Sequence, residues 1–222
     1  MLRYYHYRKL SSNARNAYTK IALALKRYSF AAVIDTVPNL QKVLDAVKDD
    51  NPHFFYVDWE SVLYGSKMQA EKTVVHFKYR IQRTVAKQYL EQIRAIAESL
   101  KSNSDYATMR KVHDYLAKTV KYNPCVKSGE SKYRINDHNV IGPLFEKMAV
   151  CEGIARAYQI LLKHLNIECT YMSGYVNTSQ VRGYHAWDLV RYNGQIKKVD
   201  VTWDLNEGKV THMYFLVPGT YC

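Results

Sequence analysis

Asn193-Gly194 lies between two runs of alternating apolar residues, 183–192 and 195–203. This dipeptide is the strongest short-range signal for a two-residue β-hairpin, because both residues accept the positive φ that such turns demand. The consequence reaches along both strands. If Tyr192 pairs with Gln195 and each further pair steps outward by one, His185 faces Thr202 and Asp200 faces Trp187. His185 and Asp200 then share a sheet face on adjacent strands, offset by two residues. Diagonal neighbours of that kind lie about 7–8 Å apart at the backbone, within reach of an imidazole and a carboxylate.

The rest of the chain alternates helix and strand signals. Residues 12–28 read as a helix capped by Ser11 or Ser12, with Ala14, Ala17, Tyr18, Ile21 and Leu25 on one face. A strand is expected at 30–35, and a helix at 40–50 that stops before Asn51-Pro52. Strands are expected at 54–59 and 72–80 with Gly65 in the turn between them, and helices at 82–101 and 105–119. Residues 122–142 form a polar loop that holds Pro124 and is followed by Pro143, long enough to wall or cover a site. A helix follows at 151–165, then strands at 167–176, 183–192, 195–203 and 212–218. The fold class expected is α+β: a nucleophile helix packed on an antiparallel sheet, preceded by a helix-rich α/β region. Residues 1–104 form that N-terminal region, a candidate substrate- or partner-binding face, and 105–222 the catalytic core.

Cys151 begins the helix after the loop, three residues before Ile154 on its apolar stripe. A thiol is a good nucleophile only as a thiolate, and a helix N-terminus favours that charge. A His can take the thiol proton, and an acid can aim the His. Cys151, His185 and Asp200 therefore form a candidate triad. Taken singly, each has a plainer reading: a small core residue, a half-buried strand histidine, a strand-edge acid. Asp188 and Asp204 compete for the acid's role, although Asp188 points away from the face of His185. The hairpin that registers two of the three favours the triad.

Thirty-two basic residues against twenty acidic give +12. Residues 1–150 hold 25 and 14 of these, and 151–222 only 7 and 6, so the excess precedes the candidate site. It suits an anionic cell-envelope polymer; nucleic acid is not expected, since no binding motif or long basic block appears. Twenty tyrosines against six phenylalanines fit half-exposed element faces, or a groove lined by amphipathic rings. The cysteines at 125, 151, 169 and 222 include no CxxC and no finger spacing, so free thiols are expected rather than zinc, with Cys151 reactive and Cys169 buried on a strand. Nothing resembles a signal peptide or a bilayer span, IALAL at 21–25 being too short. A soluble protein is expected, in an extracellular or cell-envelope setting slightly ahead of the cytoplasm.

CEG at 151–153, HAWD at 185–188 and VDVTWD at 199–204 together resemble the transglutaminase-like superfamily of papain-fold cysteine enzymes, in its bacterial branch. RKVHDYLAKTVKYN at 110–123 also looks like the helix that precedes the core in that group, and the resemblance is strongest over 105–217. It implies a papain-like core and acyl transfer on amides of proteins or peptides: hydrolysis, deamidation or transamidation through a thioester. By motif position Cys151 is then the nucleophile, His185 the general base and acid, and Asp200 the orienter. Gly153, Trp187 and Trp203 match the family's small and aromatic positions and are candidate substrate contacts. The Cys151 N–H is one expected oxyanion donor, with Asn139 or Tyr122 as the second. No metal or organic cofactor is expected. The zinc-binding cysteines of peptide N-glycanases and the calcium sites of animal transglutaminases have no counterpart. The alternative is an idle domain of the same fold that binds peptide, glycan or an anionic envelope polymer.

Overall fold

A computed structural model of the chain describes residues 1–65, 71–123, 135–177, 182–206 and 209–219. They divide into two compact units, Tyr4–Glu91 and Gln92–Cys222, the latter with Met1–Arg3.

In the Tyr4–Glu91 unit a one-turn helix α1 (Tyr5–Arg8) precedes α2 (Ser12–Lys26), and β1 (Ala31–Asp35) leads into α3 (Leu40–Asp50). Ser11 is the N-cap of α2, although its hydroxyl makes no capping bond. Asn39 caps α3 by accepting from the Lys42 N–H. β2 (Leu63–Gly65) and β3 (Lys72–His76) complete an antiparallel sheet of order β1-β3-β2. The strand expected at 54–59 does not form. Pro52 opens a 3-10 turn at Pro52–Phe54, and a second covers Trp59–Ser61. Phe54, Phe55, Tyr56 and Val57 are all buried, so this stretch packs on every side instead of alternating. On the side of β3 away from β1 the pairing strand is β2, and Gly65 lies in it rather than in a turn. Tyr28 stacks on Tyr56 (4.4 Å, 19°) and Tyr79 (4.7 Å, 29°), which places part of the tyrosine surplus in this core.

α4 (Arg83–Leu100) begins in this unit, and α5 (Asp105–Thr119) belongs to the other. On α5 the stripe Met109, Val112 and Leu116 is fully buried. β4 (Lys121–Tyr122) pairs in parallel with β5 (Met148–Ala149). Most of the long loop, including Cys125, lies outside the described residues, as does Cys222. Within the loop's described part, Ile135–His138 form a 3-10 turn and Gly142–Glu146 a π turn. α6 (Cys151–His164) then packs on a four-stranded antiparallel sheet of order β11-β8-β7-β6, made of β6 (Cys169–Asn177), β7 (Arg182–Tyr192), β8 (Gln195–Val199) and, after the short pair β9 (Leu205–Asn206) and β10 (Lys209–Val210), β11 (Phe215–Pro218). Ala155 of α6 meets Tyr171 and Ala186 of the sheet in one buried cluster, and Cys151 packs against it. This is an α+β fold.

The hairpin forms as expected: Tyr192 pairs with Gln195 and Asp188 with Val199, with φ of 47° at Asn193 and 76° at Gly194. β8 is shorter than the expected 195–203, however. Its ladder to β7 ends at Val199, and the Asp200 N–H, which faces the β11 side, bonds the Tyr214 carbonyl at 3.0 Å. Residues 200–204 then close a turn, with the Asp204 N–H on the Asp200 carbonyl at 3.3 Å. Asp200 and Thr202 therefore have no ladder partners on β7. The register of β11 slips between Phe215 and Val217, which leaves Leu216, at φ 56°, as the extra residue of a bulge.

Candidate active site

Three elements converge within the Gln92–Cys222 unit. α6 offers Cys151 in its first turn, half-exposed and free. Val150 precedes it with extended backbone and provides no side-chain cap, so the positive end of the helix is open to a charge on the sulfur. His185 stands on β7, 6% exposed, and Asp200 follows β8, 1% exposed. His185 Nε2 lies 2.8 Å from Asp200 Oδ2. With Nε2 committed, Nδ1 is the ring atom left for the Cys151 thiol, the second hydrogen-bond partner of this imidazole. Burial is the largest influence on His185 and disfavours its charged form. The hydrogen bonds to Asp200 and Cys151, with their charges, outweigh it and lift its pKa to about 9.

Aromatic rings frame the pair. Trp203 stacks on the His185 ring at 4.8 Å and 10°, and Trp187 lies 6.1 Å away at 25°. The Trp203 N–H donates to Asp200 Oδ1 at 3.2 Å, so Asp200 is held from both oxygens. Trp187, Lys198, Trp203, Met172, Met213 and Tyr214 line a groove of about 740 Å³ on this side of the sheet. Gly174 gives Trp187 its seat: a Cβ there would stand 3.2 Å from the indole.

The described part of the loop braces α6. The Asp137 carbonyl accepts from the Val150 N–H at 3.1 Å, and a Cβ on Gly153 would stand only 2.2 Å from that same carbonyl oxygen. Gly153 thus lets the loop turn close on the helix. The Asn139 amide donates to the Ile135 carbonyl at 3.2 Å and its oxygen accepts from the Ile141 N–H at 2.8 Å; both ends serve the loop's own turn. Tyr122, at the end of β4, is the loop-side residue that reaches Cys151, bonding its side chain and its backbone. Burial first, and then the Cys151 charge, push the Tyr122 phenol up to about 12.

Asp188 lies on the opposite face, bonded by the Cys169 thiol at 3.4 Å. Asp204 accepts from His113 at 3.0 Å and from Thr211 at 2.6 Å. Neither competes for His185. The spacing along the chain offered no signal for the His113–Asp204 pair, whose members are 91 residues apart. Among the described residues, His113, Asp114 and His212 bring ligand atoms within 4.8 Å of one another, close enough for a small cation. Each is already hydrogen-bonded, and Arg110, which can only donate, faces His212 Nδ1 at 3.4 Å. The His212 proton therefore sits on Nε2, aimed at Asp114, and the group is complete as a hydrogen-bond network.

The family model of the transglutaminase-like superfamily matches residues 76–201, more than half of the chain. The chain belongs to the transglutaminase-like superfamily. Comparison with curated proteins returns no match. Among solved structures, this transglutaminase-like chain is similar to a TGase at 14% identity and a TM-score of 0.46, over 82% of this chain and 53% of that one. It is similar to a candidate cysteine protease from Cytophaga hutchinsonii at 14% and 0.41, over 64% and 62%. It is also similar to the periplasmic domain of TgpA from Pseudomonas aeruginosa, bound to ethylmercury, at 16% and 0.40, over 60% and 55%. The chain spans between half and two thirds of the length of each. Among the described residues no helix is long and apolar enough to cross a membrane.

Proposed function

We propose that this chain is a cysteine-dependent acyl-transfer enzyme acting on amide bonds of proteins or peptides, with Cys151 as nucleophile, His185 as base and acid, and Asp200 as orienter. The observation that carries this reading is the His185 ring, bonded to a buried carboxylate on one nitrogen and to a helix N-terminal thiol besides. His185 takes the thiol proton, giving a thiolate–imidazolium pair. The thiolate attacks the amide carbon and a C–S bond forms. The resulting oxyanion is met by the Cys151 N–H and, in place of the committed Asn139 amide, by the Tyr122 hydroxyl. Collapse breaks the C–N bond as the imidazolium protonates the departing nitrogen. Water or a second amine, deprotonated by His185, then attacks the thioester and frees the thiolate. Trp187 and Trp203 flank the acyl group from the groove side. The basic excess before residue 151 fits work at an anionic bacterial envelope.

Three assays on one preparation test the reading: ammonia release from glutamine peptides, amine incorporation, and peptide cleavage. Cys151→Ala is expected to lose the activity found by at least about 10³-fold with an unchanged circular dichroism spectrum. Activity that survives this substitution contradicts the reading. Tight peptide binding without turnover in the parent favours an idle binding domain instead.

A further inference from the structure

A strand lysine ordinarily keeps its ammonium in water, yet Lys198 is 5% exposed. Its Nζ lies 3.3 Å from Asp200 Oδ2, the oxygen that accepts from His185 Nε2. Two indoles cover the ammonium, Trp187 at 4.7 Å and Trp203 at 4.5 Å, and the second of these also stacks on the His185 ring. Ammonium, imidazole and both indoles thus surround one carboxylate. Burying a cation is costly unless it is paired and hydrogen-bonded, and an apolar side chain would line the groove without that cost. Since both nitrogens touch one oxygen, Lys198 Nζ and His185 Nε2 are no more than about 6 Å apart.

We propose that Lys198 is a positioning residue that tunes His185: it shares Asp200 Oδ2, fixes the carboxylate against the indoles, and lowers the proton affinity of the imidazole. The inference rests on the reading of His185 as the base for Cys151. Without Lys198 the whole carboxylate charge falls on His185, which then holds its proton too tightly to pass it to a leaving amine. With Lys198 the carboxylate is divided and a second positive charge stands close by, which opposes the imidazolium. The titratable groups that face His185 are Cys151 from α6, and Asp200 and Lys198 from β8 and the turn after it. Tyr122 of β4 acts on it through Cys151, and Asp188 sits across β7.

The test is a pH titration of the His185 ring by NMR in ¹³C-histidine-labelled protein, comparing the parent with Lys198→Met, Lys198→Gln and Lys198→Arg. The midpoint is expected near 9 in the parent, to rise by about one pH unit in the two neutral variants and to stay put in the arginine variant. A neutral variant that keeps its near-ultraviolet spectrum and titrates like the parent overturns the proposal, as does an arginine variant that shifts as far as the methionine one. If neither neutral variant folds, a displaced midpoint in Lys198→Arg overturns it and an unmoved one supports it. A parent Cys151 that alkylates no faster than a free thiol would sink the functional reading, while the His185 midpoints still report on Lys198.

Discussion

His185 sits where burial and hydrogen bonding pull in opposite directions, and the bonds win. Its raised pKa stabilises the folded chain fully below the ordinary histidine value near 6.5, and that contribution is lost as pH rises through about 9. The difference corresponds to roughly 3 kcal/mol. Asp200→Asn keeps the shape of the orienter while removing its charge. We expect the His185 midpoint to fall toward 6.5 and kcat/KM to drop about 10²–10⁴-fold, read from NMR titration and a pH–rate profile. An unmoved midpoint would show that Asp200 does not govern this imidazole. Cys151, His185 and Asp200 were legible as candidates because each stood in a short local motif. Lys198 was not, because a strand lysine reads as exposed, and only the tertiary packing of two indoles removes it from water.

At the scale of elements, turn chemistry was the most legible feature. Asn193 and Gly194 take the positive φ that their types permit, and the register of β7 on β8 follows from them. The same rule overshot at Asp200, since a pairing rule cannot sense a turn that follows: residues 200–204 fold back with the Asp204 N–H on the Asp200 carbonyl, and the ladder ends at Val199. Residues 54–59 misled for another reason. Their aromatic run mimics a strand, but Phe54 to Val57 are buried on every side and Pro52 sets a 3-10 turn. Gly153 is an element-scale residue, the point where the 135–138 turn touches α6. Gly153→Ala would force its Cβ to 2.2 Å from the Asp137 oxygen. We expect a loss of about 2 kcal/mol or more and a slower Cys151, by denaturant melts and alkylation. A stability equal to the parent's would mean that the turn does not bear on the helix as described.

Across the whole molecule, carboxylates drawn partly or wholly out of water add to the pH dependence of stability. Asp204 and Asp114 are pushed up by burial, but their histidine bonds outweigh it and hold both below the usual carboxylate range. Their contribution is present at neutral pH and lost as pH falls through those lowered values. Asp188 is the opposite case. Burial, with a smaller push from the Asp200 charge, raises it well above the ordinary value of 3.8, so the folded state binds a proton that the unfolded chain releases. Stability therefore falls as pH rises above about 4, by roughly 1.4 kcal/mol per pH unit until the folded value is reached. Asp188→Asn removes that slope: we expect a higher urea midpoint than the parent at pH 7 and a near-equal one at pH 4. A parallel shift at both would contradict a neutral, buried Asp188. None of this was legible in advance, because His113 and Asp204 are distant in sequence and strand acids such as Asp188 show their burial only once α6 covers them.

Alkylation of each cysteine by iodoacetamide against pH, read by mass spectrometry in the parent and in His185→Ala, bears most directly on the central claim. The account predicts that Cys151 reacts fast below pH 7, that Cys169 stays inert because burial pushes its thiol up, and that the advantage of Cys151 vanishes without His185. A Cys151 that reacts no faster than a free thiol of pKa about 8.5, or equally fast in both proteins, would contradict it.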